Sequence, residues 1–510
     1  MELRGLFKDC KEIRISGPET AVITGLADDS RKVKKGDLFF AIAGQKTSGG
    51  IYIKEALAHG AAAVVAERGP DAELARLFPP AAWVLTGDVL SVLSKAASAF
   101  YGRPSERLTL TGITGTNGKT TTAYLLENIY KLAGAKPGVI GTIDYRVDGK
   151  LISKAPNTTP LAHELHALFS RMLEAGSKAV IMEVSSHALA LNRADEAAFD
   201  VAVFTNIQRD HLDFHKDLES YFKAKMKIFA LTASSPKKNK KGVINADDEK
   251  AGEIINAVKG RLELITFGMD KDADFKAGNS ELLADRTIFE LNAGGGARTV
   301  ALKLLGRHNI YNALSAIAAA AAAGLDIETA VKGVETLETV PGRLEKISLG
   351  QEFGVFVDYA HTDAALENVL SNLRKLPHKK LITVFGCGGD RDRTKRAPMG
   401  RAAAAASDLA IVTSDNPRSE DPARIFADIE AGLKGAFLNY VVIPDRKEAI
   451  LKAVGTAAPG DIVLIAGKGH EDYQILKDRT IHFDDREAAA EAIKWKIGGQ
   501  IGGQSPAICI

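Results

Sequence analysis

The chain lacks the features that mark secreted, membrane-spanning or nucleic-acid-binding proteins. Its three cysteines, Cys10, Cys387 and Cys509, are far apart and odd in number, so neither a disulfide framework nor a structural zinc site is indicated. No apolar run approaches the ~18 residues of a membrane span, and residues 1–4 begin no apolar secretory core. The formal charge of +2 gives no reason to expect nucleic acid as a partner. We therefore expect a cytoplasmic globular protein.

Short apolar runs alternate with helical segments along most of the chain. This alternation predicts an α/β protein with parallel, doubly wound sheets, and the length suggests about three domains at roughly one per ~150 residues. Residues 101–105, Tyr-Gly-Arg-Pro-Ser, and 341–343, Pro-Gly-Arg, are typical of linkers and boundaries. We predict a smaller mixed α/β N-terminal domain over 1–104, a central parallel sheet over 105–340 and a Rossmann-like C-terminal domain over 341–497. Residues 498–510 are predicted to form a flexible tail.

A glycine-rich turn lies between a predicted strand, 108–113, and a predicted helix, 120–132. Residues 112–120 read Gly-Ile-Thr-Gly-Thr-Asn-Gly-Lys-Thr. Glycines let backbone N–H groups encircle phosphates, and a helix N-terminus adds favourable partial charge. Lys119 would reach the β- and γ-phosphates of a nucleotide, and the Thr120 hydroxyl would bind Mg²⁺. Ile113 replaces the first glycine of the strict pattern, so this variant loop predicts a P-loop ATPase-like central sheet but leaves kinase, GTPase and ATP-driven ligase open.

A second polar run, Thr-Ser-Asp-Asn-Pro-Arg at 413–418, follows a predicted buried strand at 409–412. Ligands of α/β sheets bind at the carboxyl ends of strands. Arg418 offers a planar charged fork that can hold a carboxylate through two hydrogen bonds. Taken alone, the run is equally typical of an ordinary turn.

Eight short polar motifs are spread along nearly the whole chain. They are Gly-Thr-Asn-Gly-Lys-Thr-Thr at 115–121, Asn-Thr-Thr-Pro at 157–160, Glu-Val-Ser-Ser-His at 183–187, Asp-His-Leu-Asp at 210–213, Gly-Arg-His-Asn at 306–309, Pro-Gly-Arg at 341–343, Asp-Tyr-Ala-His-Thr at 358–362 and Gly-Cys-Gly-Gly-Asp-Arg at 386–391. In order and spacing these motifs resemble those of the Mur ligases, which build the peptide of bacterial peptidoglycan. Within that family they are similar to the enzymes that add the third residue, of the meso-diaminopimelate type. The resemblance implies an ATP-dependent ligase that acts through an acyl phosphate.

The resemblance also implies a site for ATP and two Mg²⁺ ions in the central domain. It assigns Lys119, Glu183, His211 and a carbamylated Lys225 to catalysis, and Thr120, Glu183, His211 and the Lys225 carbamate to metal binding. Carbamylation turns a cation into an anion, which suits a metal ligand beside phosphates. The residues implied for ATP are Gly115, Thr116, Asn117, Gly118, Lys119, Thr120, Thr121, Asn309, Arg343 and Asp358.

Two further sets of residues are implied for the other substrates, with the UDP-sugar dipeptide assigned partly to the N-terminal domain and the amino acid to the C-terminal domain. Arg418 would bind the distal carboxylate of diaminopimelate and repel the ammonium of lysine, and Glu471 would bind the distal ammonium. Leu191, Ser48-Gly49-Gly50 and Asp363-Ala364 depart from common family patterns. The dipeptide set is Ser30, Asn157, Thr158, Thr159, Ser185 and Arg193; the diaminopimelate set is Arg391, Asp415, Asn416, Pro417, Arg418, Gly467 and Glu471.

Several alternative functions share parts of this pattern. A lysine-adding ligase or a folylpolyglutamate synthetase has the same architecture, whereas a P-loop kinase would release ADP without an amine. A non-catalytic nucleotide-binding scaffold would release no phosphate. We expect UDP-N-acetylmuramoyl dipeptide, meso-diaminopimelate and ATP as partners, with no nucleic acid, no membrane insertion and a monomeric chain.

Overall fold

The computed structural model describes residues 1–8, 10–44, 48–283 and 285–502. Contacts divide the chain into two compact units. The first contains Met1–Lys276 and Tyr311–Val334, and the second contains Ala277–Ile310 and the chain from Glu335 onward. The predicted N-terminal domain and most of the predicted central domain thus fall in the first unit. Within the described residues, no helix combines the length and apolar character needed to cross a membrane.

The N-terminal part of the first unit is a small sheet packed between helices. Its elements are α1 (Leu3–Leu6), β1 (Arg14–Ser16), β2 (Gly25–Ala27), β3 (Asp37–Phe40), α2 (Ile53–Ala58), β4 (Ala63–Ala66), α3 (Ala72–Leu77), β5 (Ala82–Leu85) and α4 (Val89–Phe100). The strand order is β1-β5-β4-β3-β2, with β1 antiparallel to β5 and the other pairs parallel. Alternate strand residues point to opposite faces, so Phe40 packs with α1 and α4 while Phe39 packs with α2.

The rest of the first unit is built on a larger, mainly parallel sheet. Its elements are β6 (Thr109–Thr114), α5 (Lys119–Leu132), β7 (Gly138–Ile140), β8 (Asp144–Val147), β9 (Lys150–Lys154), α6 (Ala162–Glu174), β10 (Ala179–Glu183), α7 (Ser186–Ala190), β11 (Val201–Phe204), α8 (Leu212–His215), α9 (Leu218–Ser234), β12 (Lys241–Asn245), α10 (Ala251–Val258) and β13 (Glu263–Gly268). The strand order is β13-β12-β11-β6-β10-β7-β8-β9, parallel from β13 to β7. Strands β8 and β9 extend this sheet in antiparallel pairs.

The second unit contains a hairpin and a six-stranded sheet. Three elements include a boundary between the units: β14 (Phe275–Leu282), α11 (Arg307–Ala322) and α12 (Ile327–Thr336). The others are β15 (Thr287–Ala293), β16 (Gly296–Leu302), β17 (Glu345–Lys346), β18 (Gly354–Asp358), α13 (Asp363–Leu373), β19 (Leu381–Phe385), α14 (Arg396–Ala406), β20 (Leu409–Val412), α15 (Pro422–Glu430), β21 (Tyr440–Val442), α16 (Arg446–Thr456), β22 (Ile462–Ala466), β23 (Tyr473–Ile475), β24 (Thr480–His482) and α17 (Asp485–Gly502).

The six-stranded sheet brings three polar loops to one edge. Its strand order is β17-β18-β22-β19-β20-β21, and all its pairs except β17 with β18 are parallel. Because β22, β19 and β20 are neighbours and run in the same direction, the loops that follow them lie side by side. These loops contain residues 467–471, 386–391 and 415–418, which include the predicted amino-acid-binding residues.

The C-terminal helix differs from the sequence-based expectation. Helix α17 continues to Gly502, so residues 498–502 are helical where a flexible tail was predicted. The paired glycines at 498 and 499 do not end the helix, and Ile493 and Ile497 before them pack against the apolar core of the second unit. The remainder of the predicted tail, residues 503–510 with Cys509, lies outside the described residues.

Candidate active site

The glycine loop lies between the end of β6 and the start of α5, as the sequence predicts. Gly115 has φ +149° and Gly118 has φ +89°, backbone conformations that favour glycine. A Cβ atom at Gly115 would lie 1.9 Å from the Thr205 hydroxyl oxygen. Gly118 is the N-cap residue of α5, so the unbonded N–H groups of the first helical turn face the loop. This arrangement suits the binding of a phosphate.

Two lysines contact the main chain of this loop. Lys119 Nζ donates to the carbonyl oxygens of Gly115 and Thr116, at 2.9 Å each. Lys225, from α9, is 2% exposed, and its Nζ donates to the Gly115 carbonyl at 2.7 Å. Burial, with a smaller effect from the nearby Lys119 cation, holds the pKa of Lys225 well below its usual range. The low pKa favours the neutral amine.

A loop after β11 braces the glycine loop, and sequence reasoning missed it. Thr205 Oγ1 donates to the Asn117 carbonyl at 2.7 Å, and the Asn117 N–H donates to Asn206 Oδ1 at 3.1 Å. The Asn117 side-chain amide donates to Gln208 Oε1 at 3.0 Å. The available signal was a Thr-Asn-Ile-Gln run directly after an apolar strand, because polar residues at strand ends commonly face a ligand.

Glu183 ends β10 beside the glycine loop. Its Oε2 accepts hydrogen bonds from Thr120 Oγ1 at 3.0 Å and Thr142 Oγ1 at 2.8 Å, and its Oε1 accepts from the Thr142 N–H at 3.0 Å. Strand pairing explains this approach, since β10 and β6 are parallel neighbours with Glu183 opposite Ile113. Thr142 was not predicted. A carboxylate beside the Thr120 hydroxyl provides the hard oxygen ligands that Mg²⁺ prefers.

The predicted metal set also contains Lys225, described above, and His211. His211 precedes α8 with φ +53°, and its Nε2 lies 3.5 Å from Asp210 Oδ2. Its ring centroid lies 4.8 Å from that of His187. Among the residues that the structure describes, no three His, Cys, Asp or Glu side chains form a ready metal cluster. The full set therefore stays a prediction, and its structural support is the contact between Thr120 and Glu183.

Three of the residues predicted for the UDP-sugar dipeptide surround the end of β10. Thr159 Oγ1 donates to the Glu183 carbonyl at 2.8 Å and accepts from the Ser185 N–H at 3.1 Å. Arg193 Nη1 donates to the Thr159 carbonyl at 3.0 Å. Burial lowers the pKa of Arg193, and the Glu164 carboxylate offsets this effect only in part. The structure thus brings Thr159, Ser185 and Arg193 together.

Asn157 and Thr158 extend this group toward β8. The Asn157 carbonyl accepts from the Tyr145 hydroxyl at 2.6 Å. The Thr158 hydroxyl lies 3.1 Å from that of Thr142, the residue that also bonds Glu183. The whole segment 157–159 is therefore tied to the surroundings of Glu183.

Ser30, the remaining residue of the dipeptide set, lies after β2 in the N-terminal sheet. Its hydroxyl donates to Glu55 Oε2 at 2.6 Å, and only 5% of Ser30 is exposed. Nearby Asp28 lies 3.3 Å from His163 Nε2 of α6. This contact connects the segment that carries Ser30 to the helix that follows Thr159.

The remaining residues predicted for ATP belong to the second unit. The Asn309 side-chain amide donates to the main-chain carbonyl four residues earlier at 2.8 Å. The Arg343 guanidinium lies over the Tyr359 ring, 4.8 Å from its centroid. Asp358 ends β18, and its carboxylate accepts from two backbone N–H groups at 2.7 and 2.8 Å. Burial raises the pKa of Asp358. Their roles toward a nucleotide stay predictions.

Within the second unit, the predicted amino-acid-binding arginines flank the glycine loop after β19. A Cβ atom at Gly388 would lie 2.9 Å from Arg418 Nη1 and 3.7 Å from Arg391 Cγ. Arg418 Nη1 also donates to the Gly389 carbonyl at 2.9 Å. Arg418 has φ +55°, a conformation that is costly for a residue with a side chain and is concentrated at functional sites. The Arg418 guanidinium and the stem of the Arg391 side chain therefore both lie beside Gly388.

The loops after β20 and β22 also meet. Asn416 Nδ2 donates to Glu471 Oε2 at 2.9 Å. A Cβ atom at Gly467 would lie 2.8 Å from Asp415 Oδ2, so this approach requires glycine. Pro417 lies against the third loop, where a Cβ atom at Gly389 would be 1.9 Å from its carbonyl oxygen. The structure thus brings the three loops that contain the predicted set together at one sheet edge.

Comparison with known proteins places all parts of this architecture in one family. Three family models match: the Mur ligase family catalytic domain at 22–101, the Mur ligase middle domain at 113–320 and the Mur ligase glutamate ligase domain at 342–469. The chain belongs to the Mur ligase family.

Relatives and a solved structure match over nearly the full length. The UDP-N-acetylmuramoyl-L-alanyl-D-glutamate–2,6-diaminopimelate ligase of Solibacter usitatus is 46% identical, with 97% of this chain and 98% of the relative covered. The ligase of the same name from Syntrophomonas wolfei is 43% identical, covering 98% and 100%. A solved structure of such a ligase is 32% identical, with a TM-score of 0.68, covering 98% of this chain and 99% of that chain.

Proposed function

We propose that the chain joins meso-diaminopimelate to the D-glutamate γ-carboxylate of UDP-N-acetylmuramoyl-L-alanyl-D-glutamate, with hydrolysis of ATP to ADP and phosphate, in the cytoplasm. The observation that carries the proposal is the placement of Arg391 and Arg418 beside Gly388, with Glu471 hydrogen-bonded to Asn416, within a Mur ligase. Two guanidinium groups suit the two carboxylates of diaminopimelate, and Glu471 suits its distal ammonium.

The chemistry requires activation, because a free carboxylate has no good leaving group. The γ-carboxylate attacks the γ-phosphorus of ATP, which releases ADP and forms an acyl phosphate. The amine of diaminopimelate then attacks the acyl carbon, and collapse of the tetrahedral intermediate releases phosphate and leaves an amide. The amine loses a proton in this step.

The glycine loop accounts for phosphate binding in this scheme. Its helix N-terminus and Lys119 offset the negative charge that accumulates when a carboxylate approaches a triphosphate. Lys119 donates hydrogen bonds to loop carbonyls in the structure. When a nucleotide binds, the same ammonium can donate to phosphate oxygens instead. Thr120, Glu183, His211 and the Lys225 carbamate are the residues we assign to two Mg²⁺ ions, which would supply further charge neutralisation.

The environment of Lys225 supports its proposed carbamylation. Carbamate formation joins the neutral amine to carbon dioxide and releases a proton. Because burial lowers the pKa of Lys225, the reactive neutral form is favoured. The anionic product would also be a group that the nearby Lys119 cation attracts.

The test is phosphate release by the purified chain with ATP, Mg²⁺ and the UDP-linked dipeptide. Addition of meso-diaminopimelate should trigger release, and L-lysine at the same concentration should trigger much less. Equal use of both amines would contradict the specificity, and no release with either would favour a nucleotide-binding scaffold.

A further inference from the structure

A buried lysine contacts Glu471 in the amino-acid site, and no role is predicted for this lysine from the sequence. Lys468 follows β22 and its side chain is 0% exposed. Its Nζ lies 3.3 Å from Glu471 Oε2 and 3.3 Å from Asn416 Oδ1. Asn416 Nδ2 in turn donates to the same Glu471 oxygen at 2.9 Å. A fully buried ammonium is rare unless it is paired.

We propose that Lys468 is a positioning residue that orients the Glu471 carboxylate as an anion, so that Glu471 selects the distal ammonium of diaminopimelate. The inference rests on the proposed function of this site. Lys468 and Asn416 both donate to Oε2, whereas the Tyr359 hydroxyl lies 3.5 Å from Oε1. Oε1 therefore keeps the greater capacity to accept a hydrogen bond from a substrate ammonium.

The charges around Glu471 show why a cation is needed there. Burial raises the pKa of Glu471, and the Asp415 carboxylate raises it further, whereas Lys468 and the Asn416 hydrogen bond lower it. The Arg446 guanidinium also interacts electrostatically with the Glu471 carboxylate, and so do the Tyr359 and Tyr473 hydroxyls. Lys468 is the cation in direct contact with Glu471 in the described loops. Without it, Glu471 would tend toward the neutral acid, which binds ammonium poorly.

The loop geometry explains why this lysine stays in place. The Asn416 Oδ1 atom that receives Lys468 also accepts the Ile475 N–H at 2.9 Å, and Gln474 Nε2 donates to the Asp415 carbonyl at 2.7 Å. The Lys468 ammonium further lies 5.5 Å from the centroid of the Tyr473 ring. The loops after β20 and β22 are thereby held around one buried cation.

The experiment compares wild type with Lys468→Met, Lys468→Arg and the exposed control Lys477→Met. Phosphate release is measured against meso-diaminopimelate and against L-2-aminopimelate, which keeps both carboxylates but lacks the distal ammonium. Lys468→Met should lower kcat/KM for diaminopimelate by roughly 10- to 100-fold, the range expected for loss of a charge-assisted hydrogen bond. It should affect L-2-aminopimelate much less and leave the KM for ATP unchanged. Lys468→Arg should recover part of the loss, and Lys477→Met should match wild type.

A pH profile separates this role from simple loss of structure. In wild type, kcat/KM for diaminopimelate should fall on the acid side as Glu471 becomes protonated. Removal of the cation raises the pKa of Glu471, so the acid limb of Lys468→Met should move to higher pH. An equal loss for both amines with an unmoved acid limb would overturn the inference, as would wild-type behaviour of Lys468→Met. Failure of the wild-type chain to use diaminopimelate would instead contradict the proposed function.

Discussion

A buried arginine holds together the two loops that carry the proposed specificity residues, and its removal gives the sharpest test of this architecture. Arg396 is 0% exposed and binds Glu420 through both oxygens, at 2.7 and 2.8 Å. It also donates to Asp428 at 2.9 Å and to the Gly388 carbonyl at 3.2 Å. Glu420 then accepts the Asp390 N–H at 3.2 Å. Arg396 therefore connects the loop after β19 to the loop after β20.

The expected loss of unfolding free energy depends on how far Arg396, Glu420 and Asp428 are buried. Breaking a fully buried ion pair typically costs about 3–5 kcal/mol. Glu420 and Asp428 keep 16% and 30% of their side-chain surface exposed, so we expect Arg396→Met to cost about 2–4 kcal/mol in unfolding free energy. The matched control is Arg393→Gln, because Arg393 binds the same Asp428 from a position 61% exposed. An exposed pair contributes about 0–1 kcal/mol.

The assay is urea unfolding followed by tryptophan fluorescence. The chain has two tryptophans, Trp83 in the first unit and Trp495 in the second. A Trp83→Phe background therefore reports the second unit alone. Steady-state kinetics of the folded variant should show a raised KM for diaminopimelate with the KM for ATP unchanged. Equal stability losses for the two arginine variants, or an unchanged KM for diaminopimelate in Arg396→Met, would refute the reasoning.

The same ion pair predicts a pH dependence with a definite sign. Hydrogen bonding to Arg396 is the largest influence on Glu420 and lowers its pKa from 4.5 to about 2. Because the folded-state pKa is depressed, the stabilisation is fully present above pH 4.5 and is lost as the pH falls toward 2. The stability difference between wild type and Arg396→Met should narrow across that range.

Three further predictions concern individual side chains. Lys225→Ala should lose most phosphate release, with partial recovery in acetate because a free carboxylate can occupy the place of the carbamate; near wild-type turnover would contradict the assignment. Arg418→Lys should raise the KM for diaminopimelate by about 10- to 100-fold, since the charge stays but the two-pronged geometry is lost. Thr142→Val should raise the Mg²⁺ concentration needed for half-maximal activity, because Glu183 loses a donor at 2.8 Å.

Features set by contiguous residues could be predicted from the sequence. The glycine loop needs left-handed backbone at Gly115 and Gly118, and both glycines adopt it. Helix α5 begins at Lys119, one residue before the predicted start, because its N-terminal turn is formed by the loop itself. Strand β6 similarly lies within one residue of its predicted position. In each case the physical cause lies within a few neighbouring residues.

Contacts between segments that are distant in the sequence were harder to predict. Thr142 reaches Glu183 across 41 positions, and Asn117 reaches Gln208 across 91. Both contacts depend on which strands become neighbours in the sheet, and a pattern of apolar runs does not specify strand order. The division into two compact units has the same origin, because contacts between distant segments decide which parts of the chain pack together.

The amino-acid site shows what this dependence on sheet order means for specificity. Arg418 attracts attention in the sequence because a strand, a turn and a cation are adjacent there. In the structure the Arg418 guanidinium donates to the Gly389 carbonyl of another loop. The Glu471 carboxylate accepts hydrogen bonds from Asn416 and Lys468, which are 55 and 3 positions away. Recognition of the distal ammonium and the two carboxylates of diaminopimelate requires anionic and cationic groups at one site. The loops after β22 and β20 supply both, since Glu471 is held by Asn416 and Lys468 and Arg418 is held by the Gly389 carbonyl of the loop after β19.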